Sequence, residues 1–192
     1  MKNNYMKKGY PFFILLTLVL CIACKSKEDE KERYFPVISF LNSQVANVDT
    51  SVYAIKKIII QDSVSDTSFV PREEFRELAK DFLDAPDLTQ KKYKEKYTES
   101  EYYDDILKKV IITYTPVGKD EELQRQEIHI TPGNGEEDKI STIILNRYQA
   151  NKDSTVQRRL LWQVNERFQV VTTIQKAGLP EHTKTMKVIW NN

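Results

Sequence analysis

His129 and His182 are the only histidines in this 192-residue chain, and His129 stands two residues from Glu127 in Leu123 to Thr131, a run with the alternation of a strand. In a strand that spacing puts both side chains on one face, where an imidazole and a carboxylate can share a metal ion or a proton. A catalytic zinc site takes three protein ligands, and no third presents itself along the chain. The preferred reading of Glu127 and His129 is therefore a polar face opposite Ile128 and Ile130. A serine nucleophile needs a positioned base, and neither histidine has a neighbourhood that marks it as one. G-x-S-x-G, H-E-x-x-H, P-loop and dinucleotide fingerprints are absent, so the expectation is a non-enzyme without cofactor or metal.

Three further groups of residues bear on binding. Gly133-Asn134-Gly135-Glu136-Glu137-Asp138 gathers acids beside glycines, but it lacks the alternating ligand order of a calcium loop and reads as a charged hairpin turn. Tyr93, Tyr97, Tyr102 and Tyr103 lie in the Lys- and Glu-rich stretch Gln90 to Asp105, a mixture that suits contact with a protein or glycan. Arg158 falls on the apolar face of its strand by alternation, together with Val156, Leu160 and Trp162. There it is a candidate contact for an acidic ligand or lipid headgroup, with a place at the sheet margin, stem packed and head in water, as the preferred reading.

The elements that position these residues read as α+β. Val37, Phe40, Leu41, Val45 and Val48 recur at helical spacing after Pro36, and Phe75, Leu78, Ala79, Phe82 and Leu83 do so after Pro71. Strand patterns follow over Ser51 to Gln61, Thr67 to Val70, Leu107 to Thr115, Leu123 to Thr131, Lys139 to Tyr148, Thr155 to Val164, Arg167 to Gln175 and Thr183 to Trp190. Asn165-Glu166 reads as a two-residue hairpin loop. Short links imply antiparallel neighbours, so the predicted fold is a curved antiparallel meander of about seven or eight strands with two helices packed on one face.

Composition fits one folded domain: 40% of residues are hydrophobic and 30% charged, too apolar for a disordered chain. A net charge of +1 without a basic cluster in the folded region excludes the footprint of a nucleic-acid binder.

The N-terminus carries a different signal. Lys2, Lys7 and Lys8 precede the apolar run Phe12 to Ala23, the layout of a secretory leader and too short to span a bilayer. The run ends in Leu20-Cys21-Ile22-Ala23-Cys24, which resembles the lipobox of bacterial lipoproteins. That resemblance covers residues 1–24 and implies cleavage before Cys24 and its acylation. Cys21 stands where such sequences usually have leucine. A C-x-x-C redox pair is the rejected alternative, since it needs a folded context that lowers a thiol pKa. Removing the 23-residue leader with its three lysines takes the chain from +1 to −2 and leaves 169 residues: residues 24–33 as a charged tether and 34–192 as the domain.

Lys25 after the cysteine, in place of the aspartate that retains lipoproteins in the inner membrane, implies an outer-membrane protein. Lys27-Glu28-Asp29 is similar to the short signal that sends some Gram-negative lipoproteins to the cell surface, which is preferred here over the periplasmic face. Asp62-Ser63-Val64 and Asp153-Ser154-Thr155 resemble an O-glycosylation sequon of exported proteins, making Ser63 and Ser154 candidate acceptors, although unmodified turn residues are the simpler reading.

The function expected from these features is that of a lipid-anchored outer-membrane module, binding an unidentified protein or glycan without catalysis. The alternative is a carrier of a hydrophobic ligand in a cavity between sheet and helices. Because the two helices offer enough apolar side chains to cover the sheet, a closed core without a cavity of ~300 Å³ or more is expected.

Overall fold

The computed structural model describes residues 34–133 and 135–191. Cys21, Cys24, Lys27, Glu28 and Asp29 lie outside the described residues, as does Asn134.

Helix α1 (Val37–Asp49) begins after Pro36, whose fixed φ suits a helix entry and whose missing N–H is not needed there. Val37, Leu41, Gln44, Val45 and Val48 form its buried stripe. The second helical pattern is realised differently from the expectation. It is a 3₁₀ turn (Arg72–Glu74) followed by two four-residue helices, α2 (Phe75–Leu78) and α3 (Lys80–Leu83), interrupted at Ala79. Alanine has the highest helix propensity, so the interruption is imposed by packing: Phe75, Ala79 and Phe82 are all fully buried against the sheet.

Nine strands form one open sheet, against the seven or eight expected: β1 (Ile55–Gln61), β2 (Val64–Val70), β3 (Tyr97–Asp104), β4 (Lys109–Pro116), β5 (Leu123–Thr131), β6 (Lys139–Ala150), β7 (Ser154–Gln163), β8 (Arg167–Lys176) and β9 (His182–Ile189). With one helix of ordinary length and short helical turns otherwise among the described residues, the architecture is mostly β. The spatial order is β2-β1-β9-β8-β7-β6-β5-β4-β3, and every neighbouring pair is antiparallel. Strands β3 to β9 are a simple meander. The β1–β2 hairpin is added at its far end, on β9, so β2 and β3 are the two free edges among the described residues.

That arrangement explains the helical layer. The chain leaves β2 at one edge and must enter β3 at the other, ~38 Å away across eight strand spacings. Residues 71–96 make the crossing over one face and bring α2 and α3 with them. Phe75 and Phe82 meet Trp162, Phe168 and Trp190 there; the Trp162 and Phe168 rings stack at 5.2 Å, and Phe75 stands edge-on to Trp190 at 5.0 Å. Burying an aromatic ring of this kind contributes about 1.5–3 kcal/mol, so the cluster anchors the crossing segment. Between β7 and β8 the link is Val164-Asn165-Glu166, with Asn165 at φ +63°, one residue longer than the two-residue loop expected.

Candidate functional site

The tyrosine-rich stretch divides into two halves with different roles. Tyr97 opens β3 and is buried; its hydroxyl donates to the Leu123 carbonyl at 3.0 Å, and burial holds the phenol well above its ordinary range. Tyr34 donates to the Tyr97 carbonyl at 2.9 Å and packs edge-on against Tyr114, whose phenol is pushed up to about 12, chiefly by burial. Tyr93 leans on Tyr97 with centroids 6.0 Å apart and lies under the Lys92 ammonium at 4.8 Å. Tyr93 and Tyr97 thus serve the core, whereas Tyr102 and Tyr103 are half exposed on the free edge strand, on opposite faces of it.

Beyond them the β3–β4 hairpin ends in an apolar tip. Asp104 Oδ1 accepts the N–H groups of Ile106 and Leu107 at 2.9 and 2.8 Å, a local turn that presents both side chains outward. Ile106 is 93% exposed and Leu107 51%. Two aliphatic side chains and two tyrosines therefore share one end of the edge hairpin, a combination seldom left to water without use.

Arg158 lies on the helix-covered face, as alternation requires, at the line where the helical layer ends. Its Nε is 3.3 Å from Asp81 Oδ1, and its Nη1 donates to Gln149 Oε1 at 2.9 Å. Arg147, which sequence reading did not single out, is its cross-strand partner and more deeply buried; its Nε donates to Glu122 Oε1 at 2.8 Å and its Nη1 to the Asp81 carbonyl. Two arginines, two acids and Gln149 thus fasten the crossing segment to the sheet margin. No sequence signal marks Arg147, because its partners lie 25 and 66 residues away.

On the other face, His129 Nε2 is 3.0 Å from Glu127 Oε2, and Arg125 pairs with the same carboxylate. The three form a line along β5 opposite buried Ile128. In the acidic turn, Gly133 N–H is taken by Asp138 Oδ1 at 3.0 Å and Glu136 pairs with Lys139 at 3.1 Å, so two of its acids are engaged within the loop. A Cβ at Gly133 would collide with the Glu136 carbonyl, which accounts for glycine there. Among the described residues no three metal-ligating side chains gather. Ser63 is exposed at the tip of the β1–β2 hairpin, while Ser154 is half-buried and tied to Asn151 by its N–H and hydroxyl.

Past the helical layer the same face is uncovered, and there the β8–β9 end holds a groove of about 540 Å³. The expectation of a face without a cavity of that size fails at this end: the helices cover the sheet only as far as Arg147 and Arg158. Ile174 supplies the groove floor, and the link from Ala177 to Glu181 turns back to add Leu179 and Pro180.

No helix among the described residues is long and apolar enough to cross a membrane. Compared with known proteins, the chain matches no family model, no curated protein and no solved structure.

Proposed function

We propose that the chain is an outer-membrane lipoprotein, anchored through acylated Cys24, whose domain acts as a non-enzymatic binding or accessory module for a protein or glycan partner. The observation that carries the binding reading is the β3 edge: Tyr102 and Tyr103 on β3, and Ile106 and Leu107 in the turn that follows it, are exposed at one end of a strand that has no neighbour on its outer side among the described residues. A free strand edge offers backbone donors and acceptors to an extended partner segment, and alternating side chains give the contact selectivity. A protein partner is therefore preferred.

Placement supports the same reading. Tyr34, the first described residue, is bonded to the Tyr97 carbonyl at the start of β3, and the apolar tip lies nine residues further on, ~30 Å along an extended strand. Within the domain the apolar tip therefore lies at the opposite end of β3 from Tyr34. The carrier alternative, with ligand held between sheet and helices, competes with Leu41, Phe75, Phe82 and Trp162, which already fill that space.

Three experiments test the proposal. Cys24→Ala should release the protein from membranes in detergent partitioning; unchanged association defeats the lipoprotein reading. Replacing Lys27, Glu28 and Asp29 by alanine should then reduce protease accessibility on intact cells if they direct surface export. For the binding edge, Ile106→Asp with Tyr102→Ser should abolish cross-linking to the native partner in intact cells while leaving thermal stability unchanged. Undiminished cross-linking removes the β3 edge from the reading.

A further inference from the structure

The groove at the β8–β9 end lies five strands away from β3 and plays no part in the edge-binding reading. Its walls combine two chemistries. Ile174, Leu179 and Pro180 form an apolar trough, held in shape by Gln175 Nε2 donating to the Leu179 carbonyl at 2.7 Å and Leu179 N–H donating to the Lys176 carbonyl at 3.1 Å. Lys176 and Lys184 flank that trough on the same face as Ile174, one beyond it on β8 and the other on β9 opposite Thr172. His182 stands directly across from Ile174.

The charge is one-sided. No carboxylate lines the groove, and among the described residues neither Lys176 nor Lys184 is ion-paired, whereas His182 lies 3.8 Å from Asp62. By contrast, Arg147 and Arg158 on this face are each paired, with Glu122 and Asp81. Unpaired ammonium groups beside an apolar trough match a ligand that is itself apolar along its length and anionic at one end. A volume of about 540 Å³ falls within the range of small-molecule sites and accommodates one alkyl chain.

We propose that this groove binds a single-chain fatty acid, with the tail over Ile174 beneath Leu179 and Pro180 and the carboxylate at Lys176 or Lys184. The site goes beyond the partner-binding edge and requires neither the lipid anchor nor that edge. Both lysines are exposed, so reversing their charge leaves the core untouched.

The test uses the purified full chain with dodecanoate below its micelle-forming concentration, compared with dodecyl maltoside and dodecyltrimethylammonium, which carry a saturated tail of nearly the same length on neutral and cationic heads. Dodecanoate should bind at least tenfold more tightly than either by calorimetry, and should shift the amide resonances of Thr172, Ile174 and Leu179. Lys176→Glu with Lys184→Glu should weaken dodecanoate at least tenfold at unchanged melting temperature, and each single variant assigns the head to one end. Leu179→Asp should weaken all three amphiphiles. Equal affinity for the three heads, resonance shifts elsewhere, or undiminished binding in the double-charge variant overturns the proposal. Binding to phosphatidylglycerol vesicles without binding to dodecanoate also overturns it, and makes this end a membrane contact.

Discussion

Arg147 and Arg158 stand directly opposite each other on β6 and β7, each with its own carboxylate. Like charges in that position repel, so the pair is tolerated because Glu122 and Asp81 neutralise it, and Asp81 thereby ties α3 to the sheet. The Arg147 side chain is 7% exposed and that of Arg158 24%, which separates the two ion pairs energetically. Glu122→Gln should cost about 2 kcal/mol, since it strips a buried guanidinium of its charge partner, whereas Asp81→Asn should cost up to about 1 kcal/mol. Urea unfolding of both variants and their combination checks this. The double variant should lose more than the sum, because the two arginines are then left facing each other unneutralised.

Tyr114 gives a second, pH-dependent prediction. Its folded pKa, pushed up to about 12 by burial, lies above that of an unfolded tyrosine near 10, and Tyr97 is shifted the same way. The native state therefore holds these protons after the unfolded chain has lost them. Stability is complete below pH ~10 and falls as pH rises toward 12, by on the order of 2 kcal/mol for Tyr114 alone. Phenolate absorbance should show two late-titrating tyrosines, and Tyr97→Phe with Tyr114→Phe should flatten the alkaline decline of the melting temperature. A decline of the same steepness in that variant assigns alkaline unfolding to other groups.

The parts of this fold legible in sequence are those where burial is one-sided and local. Strand β5 matches its predicted limits, and β6 to β9 fall within two residues of theirs, because alternating apolar residues such as Leu160 and Trp162 face a helical layer. Strand β3 escaped notice: as a free edge it buries little, so Tyr-Thr-Glu-Ser-Glu-Tyr-Tyr-Asp carries no apolar alternation. The docking of β1 on β9 is equally hidden, since pairing residues 123 to 133 positions apart leaves no periodic trace. Arg158 could be placed on its face by counting, but Asp81 could not be named as its partner. The groove arises from the return of the β8–β9 link over Ile174, a tertiary feature that alternation does not encode.

The crossing segment should depend on its aromatic anchors. Helices of four residues have no stability of their own, so α2 and α3 persist because Phe75 and Phe82 are held by the sheet. Phe82→Ala should cost about 3–5 kcal/mol, as for other fully buried phenylalanines. It should also alter the emission of Trp162, whose ring centroid lies 5.2 Å from that of Phe82. Tryptophan fluorescence and urea titration read the two effects. A loss below ~1 kcal/mol shows that the crossing segment is secured by the Arg147 and Arg158 pairs instead.

The turn between β1 and β2 offers a change that should stabilise the protein. Gln61 pairs with Val64, leaving Asp62 and Ser63 as a two-residue loop, and both have positive φ, +50° and +64°. That is the backbone of a type I′ turn, the form matching strand twist, in which glycine at the second position is strongly favoured. Serine there pays the steric cost of a Cβ in the left-handed region, on the order of 1 kcal/mol. Ser63→Gly should therefore raise stability by up to about 1 kcal/mol, or ~2–4 °C in melting temperature for a domain of this size, while Ser63→Val should lower it. Ser63→Ala keeps the Cβ and removes only the hydroxyl, so it separates the turn effect from any glycan at this exposed serine. Both Ser63→Gly and Ser63→Ala abolish a glycan mass in protein from the native host if Ser63 is an acceptor, but only the glycine variant should gain stability. A glycine variant less stable than the alanine variant contradicts the turn assignment.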